Sequence, residues 1–454
     1  MRSVSSLSAK ALTSLALTGI LSLYSSQAHS SDLSFEDGEK YYENSMKDEP
    51  ESVLPDHWFV TANTAYADVI LDYDENITSK AIDQLIFRKN GRIKNKKVYI
   101  SGLLKGSYLG EWTNTNDAFP ILTRFPTHAT GTSAHGFFVD NAALAFTATP
   151  TDYLTIFAQL EYHETRFDTQ DEVQLRKAYV TVGDLNRSPL YLTFGRKTIN
   201  FGDFDQYNPF SQNINNHFFR AESDGVIAEV GYVSKLMHLS ATAISGGRHL
   251  RTADTANNDD IDNFALNGDI FIPVRDDMTL KVGAGYLHGT IYNHTLPHHP
   301  GPEIDCPVTP GTQGVPKCRG RNAAWDVRAE FTSPMFDIMA EYTATVDPWP
   351  ATNQKLEAFT VQGRFKTELY DHKTHFTLSY SHSDIGPFST GGPGSPIFDS
   401  IEQIVGGMEV FINPNFSVGI EYSHNTGFAP LINVTTVSKD AEADQLVIGG
   451  RVVF

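Results

Sequence analysis

Two pairs of adjacent basic residues, Arg176-Lys177 and Arg196-Lys197, precede a run rich in acids and amides from Phe201 to Ala221. That run holds Asp203, Asp205, Asn208, Gln212, Asn213, Asn215, Asn216, His217 and Arg220. Basic groups on a wall and acids on a facing loop would set a transverse field, which orients polar solutes and sorts them by charge. Arg364 and Lys366, further along, could extend the basic track that an anionic solute would follow. The bland alternative leaves the basic groups at a strand rim beside a simply solvated loop. Two neighbouring charges at Arg176-Lys177 also interrupt alternation, which suggests a β-bulge there.

Chemistry of other kinds finds little footing. The chain contains no GxSxG elbow, HExxH, Walker loop or GxGxxG ahead of a helix, so no enzyme activity is expected. Cys306 and Cys318 share a loop with Pro297, Pro300, Pro302, Pro307, Pro310 and Pro316. Their spacing is not CxxC and the prolines exclude a redox helix, so an oxidised loop staple is expected. His294, His298 and His299 lie in the same loop, with His288 just ahead of it. In so proline-rich a loop no helix fixes the four-residue spacing of His294 and His298, so solvated surface histidines are expected, with no metal and no cofactor.

Composition limits what can position these groups. The 454 residues carry 35 basic and 54 acidic side chains, a formal charge of −19, with 40% hydrophobic and 11% aromatic residues. Such an acid excess is wrong for a nucleic-acid partner. No apolar run reaches ~18 residues, which excludes a bundle of membrane helices. Two cysteines cannot build a disulfide-dense scaffold or a four-Cys zinc site. At the start, Arg2 and Lys10 precede the uncharged stretch Ala11 to Tyr24, and Ser26-Gln27-Ala28 follows. That order reads as a secretory signal peptide over 1–28, cleaved after Ala28.

From about residue 97 the polarity alternates with a period of two. Trp325, Val327, Ala329 and Phe331 oppose Asp326, Arg328 and Glu330; Leu154, Ile156, Ala158, Leu160 and Tyr162 oppose Thr155, Phe157, Gln159 and Glu161. Only an extended strand separates such sets. The pattern predicts about sixteen strands: 97–112, 134–149, 151–165, 171–184, 188–200, 222–233, 236–247, 260–274, 277–292, 322–333, 335–346, 355–367, 371–384, 400–412, 415–425 and 440–454. Tight turns such as Pro150-Thr151-Asp152 and Asn413-Pro414-Asn415 join even strands to the following odd ones, and the other connections are mostly long. Short turns at one end, long loops at the other and an even strand number describe an all-β, antiparallel transmembrane barrel over 97–454, in the outer membrane of a Gram-negative cell.

In such a barrel the apolar face meets lipid and the polar face lines the lumen. The lumen then carries Lys281, Arg328, Arg364, Lys366 and Arg451 against Glu161, Asp269, Asp326, Glu330, Glu341, Glu409 and Glu421. Tyr153, Tyr162, Phe411 and Phe416, near strand ends, are expected in aromatic girdles. Residues 29–96 form a short N-terminal periplasmic extension, with Ile77, Ala81, Ile82, Leu85 and Ile86 at helical spacing. Whether it is tucked into the barrel mouth stays open.

Two strands carry a family resemblance: Lys97-Val98-Tyr99-Ile100-Ser101-Gly102-Leu103-Leu104-Lys105-Gly106, and Leu192-Thr193-Phe194-Gly195-Arg196-Lys197-Thr198-Ile199-Asn200-Phe201-Gly202. With the order of leader, short extension and barrel, the chain resembles the LbtU family of siderophore porins over nearly its whole length. The resemblance implies uptake of a ferric siderophore across the outer membrane; it brings no binding residues with it. In sixteen-stranded porins the third loop often folds inward, and the loop 201–221 has that place. The terminal Phe454 resembles the assembly signal of outer-membrane proteins. A general diffusion porin for small polar solutes is the alternative, and a surface adhesin or structural barrel stands in a different class. The partners expected are a ferric siderophore or small polar solute, outer-membrane lipid, the barrel-assembly machinery and, in a homotrimer, further copies of the chain.

Overall fold

The computed structural model describes residues 60–62, 75–116, 131–162, 173–222, 225–245, 261–292, 321–350, 352–388, 398–427 and 441–454. The leader expected over 1–28, Cys306, Cys318, His294, His298 and His299 lie outside the described residues.

A three-residue strand, β1 (Val60–Ala62), precedes sixteen long ones. These are β2 (Val98–Thr113), β3 (Ser133–Thr151), β4 (Leu154–Tyr162), β5 (Val173–Gly183), β6 (Leu190–Arg196), β7 (Ile227–Val233), β8 (Met237–Ser245) and β9 (Ile261–Arg275) in the first half. The second half comprises β10 (Met278–Leu287), β11 (Ala324–Thr332), β12 (Phe336–Thr345), β13 (Glu357–Leu369), β14 (His372–Phe388), β15 (Phe398–Asn413), β16 (Phe416–Thr426) and β17 (Glu442–Val453). Each pairs antiparallel with the next, and β17 returns to β2 in the register Val453↔Leu103 to Ala443↔Thr113, which closes a sixteen-stranded barrel. All tight turns lie at one end and the long connections at the other, as the alternation predicts.

The exposure pattern is that of a membrane barrel, inverted relative to a soluble sandwich. On β11, Trp325 and Val327 are 37% and 46% exposed, whereas Asp326 and Arg328 are 1% and 3% exposed. On β4, Ile156 and Leu160 face outward while Thr155, Gln159 and Glu161 are buried inside. Apolar groups outside and charges inside satisfy a bilayer, where every backbone group must also be paired, and a closed barrel does that. The protein is an outer-membrane β-barrel.

The expected bulge is present: Gln159 pairs with Lys177 and Leu160 with Leu175, which leaves Arg176 as the extra residue. The strand expected over 188–200 stops at Arg196, because residues beyond it leave the wall for the lumen. Phe411 does not join an outer girdle. It pairs with Ser417, which faces the lumen, and its own side chain lies against inward basic groups. Tyr153 and Phe416 do face outward.

Residues 75–97 take the tucked-in position. Helix α1 (Lys80–Lys89) lies inside the barrel at the tight-turn end, with Ala81, Ile82, Leu85 and Phe87 buried against β2–β6. Lys80 and Gln84 are buried too, because the facing wall is polar: the Tyr179 hydroxyl donates to Gln84 Oε1 at 3.1 Å. Arg88, in the last turn where a cation suits the helix dipole, donates to Thr155 Oγ1 at 2.8 Å and to the Thr151 carbonyl at 2.6 Å. Asp83 in the first turn is pushed up to about 6 by burial, which outweighs Lys80, Ser79 and Lys281. After α1 the chain enters β2, whose first residues extend past the end of β17 and pair with β1 in parallel, Val60↔Val98 to Ala62↔Ile100. There the Phe454 N–H donates to the Gly102 carbonyl at 3.0 Å and the Gly102 N–H returns a bond at 2.8 Å. A Cβ at Gly102 would overlap the Phe454 ring, so the glycine lets the terminal aromatic lie flat on the seam.

Two outcomes are expected. Deleting Phe454 removes both ends of this seam contact and should lower the yield of heat-modifiable barrel in the outer membrane, read on unboiled gels. A carboxyl whose folded value is raised binds more protons when folded, so docking of α1 should strengthen as pH falls from 7.5 to 5. Hydrogen exchange of residues 80–89 should slow over that range, and Asp83→Asn should abolish the dependence.

Candidate pore constriction

The loop from Lys197 to Glu222 folds into the lumen, where nearly every residue is buried. Its feet are joined: the Ile199 N–H donates to the Ala221 carbonyl at 2.8 Å, and Thr198 bridges to Glu222. The outbound arm runs along the inner wall from β10 to β17. Extended backbone without neighbouring strands leaves N–H groups to satisfy, and wall side chains accept them. The N–H groups of Asp203 and Phe204 donate to the Glu341 carboxylate at 2.9 and 3.0 Å. The Tyr207 N–H donates to Gln362 Oε1 at 2.9 Å, and those of Phe210 and Ser211 to Glu421 Oε2 at 2.9 and 3.1 Å.

The return arm begins at Asn213, whose side chain accepts from the Asn216 N–H at 2.7 Å and caps helix α2 (Ile214–Phe219). Amides rung the two arms together: Asn213 Nδ2 donates to the Asp205 carbonyl at 2.7 Å and Asn216 Nδ2 to the Phe204 carbonyl at 2.8 Å. Asn208 reaches Ser379, and Asn215 reaches Thr343 and Thr360, so the amide-rich composition serves to fasten the loop. The wall is cut back to receive it. A Cβ at Gly407 would stand 2.9 Å from Pro209, and one at Gly449 would stand 2.7 Å from the Phe210 ring.

The loop acids meet cations, though not the basic pairs expected. Asp203 lies 2.8 Å from Lys281 Nζ and 3.2 Å from Arg328 Nε. Burial raises its carboxyl, but Lys281 and Arg328 outweigh burial and hold it below the usual range. Asp205 is raised well above that range by burial and by Asp203, and it accepts from the Ile77 N–H at 3.1 Å. Arg328 also holds Asp269 at 2.7 Å and Asp326 at 2.5 Å.

Arg176, Lys177, Arg196 and Lys197 stand by the loop's feet instead. Arg176 pairs with Glu161 at 3.2 Å and with Glu222, Lys197 with Glu229 at 2.9 Å, and Arg220 with Glu222 at 3.4 Å. Lys177 is buried within electrostatic reach of Glu161, and Arg196 is half-buried. Arg364 and Lys366 share Asp337, at 2.8 and 2.7 Å, and Arg364 also grips Glu75. Loop acids and the 176–197 cations are thus not opposed across a gap. Pairing follows the loop's path, which strand alternation alone does not specify. Glu75 and the capping role of Asn213 carry no sequence signal of their own, whereas Glu341 and Glu421 were legible as lumen-facing acids.

Loop and helix meet. Besides the bond from Ile77 to Asp205, Thr78 Oγ1 donates to the Gly202 carbonyl at 2.8 Å, and Glu75 ties the approach to α1 to β13. The lumen therefore holds two inserts, α1 along β2–β6 and the loop along β10–β17.

The architecture has known counterparts. Pseudomonas putida OprB superposes with a TM-score of 0.50 at 11% identity, over 84% of this chain and 100% of that one. The fold is that of a porin. Lower similarity extends to Salmonella typhi OmpF in complex with daunomycin (TM-score 0.49, 14% identity, 79% of this chain and 98% of that one). An anion-selective porin from Comamonas acidovorans gives 0.46 and 9% identity, over 79% and 99%. No protein family and no curated protein matches the sequence. At such identities the likeness concerns the porin fold and assigns no cargo.

Removing the acceptor at the tip should free the loop. Glu421→Leu leaves two buried N–H groups without their carboxylate, where each such bond contributes about 1.5–3 kcal/mol. Residues 207–211 should lose hydrogen-exchange protection, and single-channel conductance should rise.

Proposed function

We propose that this porin-fold barrel is a selective uptake channel, stoppered on its periplasmic side by its own N-terminal segment, and that its cargo is a ferric siderophore. The observation that carries the selective reading is the double filling of the lumen. A freely permeable pore needs only the inward loop. Here α1 occupies the remaining side, and passage requires parting Ile77 from Asp205, Thr78 from Gly202 and Glu75 from Arg364. A channel so filled conducts when something displaces the stopper, and a bound solute can supply the necessary difference in affinity between closed and open states.

The siderophore as cargo is supported by the resemblance of two stretches to the LbtU family. One, 97–106, opens β2, the strand joined to Phe454. The other, 192–202, is the end of β6 that feeds the loop. Both therefore belong to the parts that fill and close the barrel. The general diffusion porin is the second reading, favoured by the fold shared with OprB.

A deletion strain separates the two. Uptake of radio-iron carried on the cell's own siderophore should fall in the deletion strain and return with the intact chain. Permeation of small uncharged sugars should be unchanged. Normal siderophore uptake combined with slowed sugar entry would establish the general porin instead.

A further inference from the structure

The part of the wall that α1 leaves uncovered at the periplasmic end has a chemistry of its own. Strand pairing sets Lys366 beside His375 and His375 beside Glu409; Phe411 pairs with Ser417, Ser417 with Arg451 and Arg451 with Lys105. These residues form an arc on adjacent strands from β13 through β17 to β2. Arg364, Lys373, Lys366 and Arg451 all lie within electrostatic reach of His375.

The cations rest on aromatic faces. Lys373 Nζ is 4.8 Å and Arg451 Cζ 5.9 Å from the centre of the Phe411 ring, and His375 meets that ring edge-on at 4.9 Å. Above the arc, the loop supplies two more rings: Arg364 Cζ lies 4.4 Å from Tyr207 and Lys105 Nζ 5.6 Å from Phe210. Asp337 is shared by Arg364 and Lys366, Arg364 also grips Glu75, and Glu409 reaches Arg451 at 3.3 Å. On the neighbouring wall acids outnumber cations, with Lys281 and Arg328 among Asp203, Asp269, Asp326 and Glu330. Lys373 is exposed, Phe411 and Arg451 are half-buried, and Lys373 lies two residues past the tight turn at Asp371. The arc thus opens toward the periplasm.

We infer that Arg364, Lys366, Lys373, Arg451 and Phe411 form a binding station for an anionic aromatic solute, an aryl carboxylate, on the periplasmic side of the loop. The solute's ring stacks on Phe411 and the Arg451 guanidinium, as the protein's own cation–ring pairs do. Its carboxylate is held by Lys373 and Arg451 in charge-assisted bonds. Neither an aliphatic anion nor a neutral arene satisfies both halves of the site. The inference rests on the channel reading, since only in a conducting barrel is this wall a stage on a path.

Calorimetry on the purified full-length protein in detergent, with salicylate, citrate and benzyl alcohol as probes, tests it. Salicylate should bind, and citrate and benzyl alcohol should each bind about tenfold more weakly, the ratio given by one contact of about 1.4 kcal/mol. Phe411→Leu should reduce salicylate to the citrate level, and Lys373→Gln with Arg451→Gln to the benzyl alcohol level, while Arg451→Lys retains most of the affinity. Heat-modifiable migration verifies that each variant is folded. Equal salicylate affinity in the wild type and the folded double variant overturns the site, as does no discrimination among the three probes. Binding is measured without transport, so the two ideas fail separately. Conductance without salicylate binding removes the station alone. Salicylate binding in a barrel that passes no ions under any condition removes the channel reading and leaves the site.

Discussion

Glu341 and Glu421 together receive four backbone N–H groups of the inward loop, and the loop's course through the lumen follows from that pair of anchors. A barrel pairs its own backbone completely, but a segment threaded inside it has no strand partner. Its donors must be met by side chains, by its own turns or by water. Carboxyl oxygens are strong acceptors, and a bond to one contributes about 0.5–1.5 kcal/mol when it is neutral and about 1.5–3 kcal/mol when it is charged. Placed on β12 and β16, they stretch the outbound arm across half the circumference. The arm then needs room, and Gly407 and Gly449 provide it where Pro209 and Phe210 touch the wall.

The same logic explains why α1 can share the lumen. Most of the loop's polar atoms turn to the β10–β17 wall, which leaves the β2–β6 wall for the helix. That wall is mixed, with Tyr99, Leu103, Phe157 and Tyr179 for the helix's apolar face and Thr155 for Arg88. Burying a Leu or Ile side chain contributes roughly 1.5–3 kcal/mol, so Ile82 and Leu85 hold the helix firmly enough to matter. Its direct polar ties to the loop are few, Ile77 to Asp205 and Thr78 to Gly202. The segment is thus held mainly by the wall, through its apolar face and the bonds of Gln84, Arg88 and Glu75, and the loop by its own separate fastenings.

Much of this was legible in the sequence. Period-two alternation fixes which side of each strand meets lipid, because lipid and lumen impose opposite polarities. Pro, Asn and Asp in the short connections fix where the strands reverse. Adjacent charges at Arg176-Lys177 betrayed a bulge, because regular pleating would send one of them into lipid. The loop's inward fold was suggested only by its place in the strand order. What stayed hidden depends on the third dimension. The spacing of Ile77 to Ile86 describes an amphipathic helix equally well in periplasm or lumen. Phe411 sits near a strand end like a girdle residue, and only the pairing with Ser417 turns it inward. Which cation takes which carboxylate depends on how far the loop travels: Asp203 passes the nearby Arg176 and Lys197 to reach Lys281 and Arg328.

The pairing also gives the lumen its electrical shape. Had the loop acids faced the cations of β5 and β6, charges would have cancelled across a gap close to the loop's own feet. Instead, Glu161, Glu222 and Glu229 neutralise Arg176 and Lys197 locally, and the loop acids add to those already on β9–β12. The acid-rich side is therefore the one the loop covers. The basic arc of β13–β17 lies past the anchor at Glu341, where Asp337 must serve two cations at once. Glu75 adds a second carboxylate to Arg364, and Glu409 meets Arg451, while Lys373 extends the arc toward its edge. The loop's anchors and the arc's cations thus stand on one stretch of wall, β12–β17, as separate sets of residues.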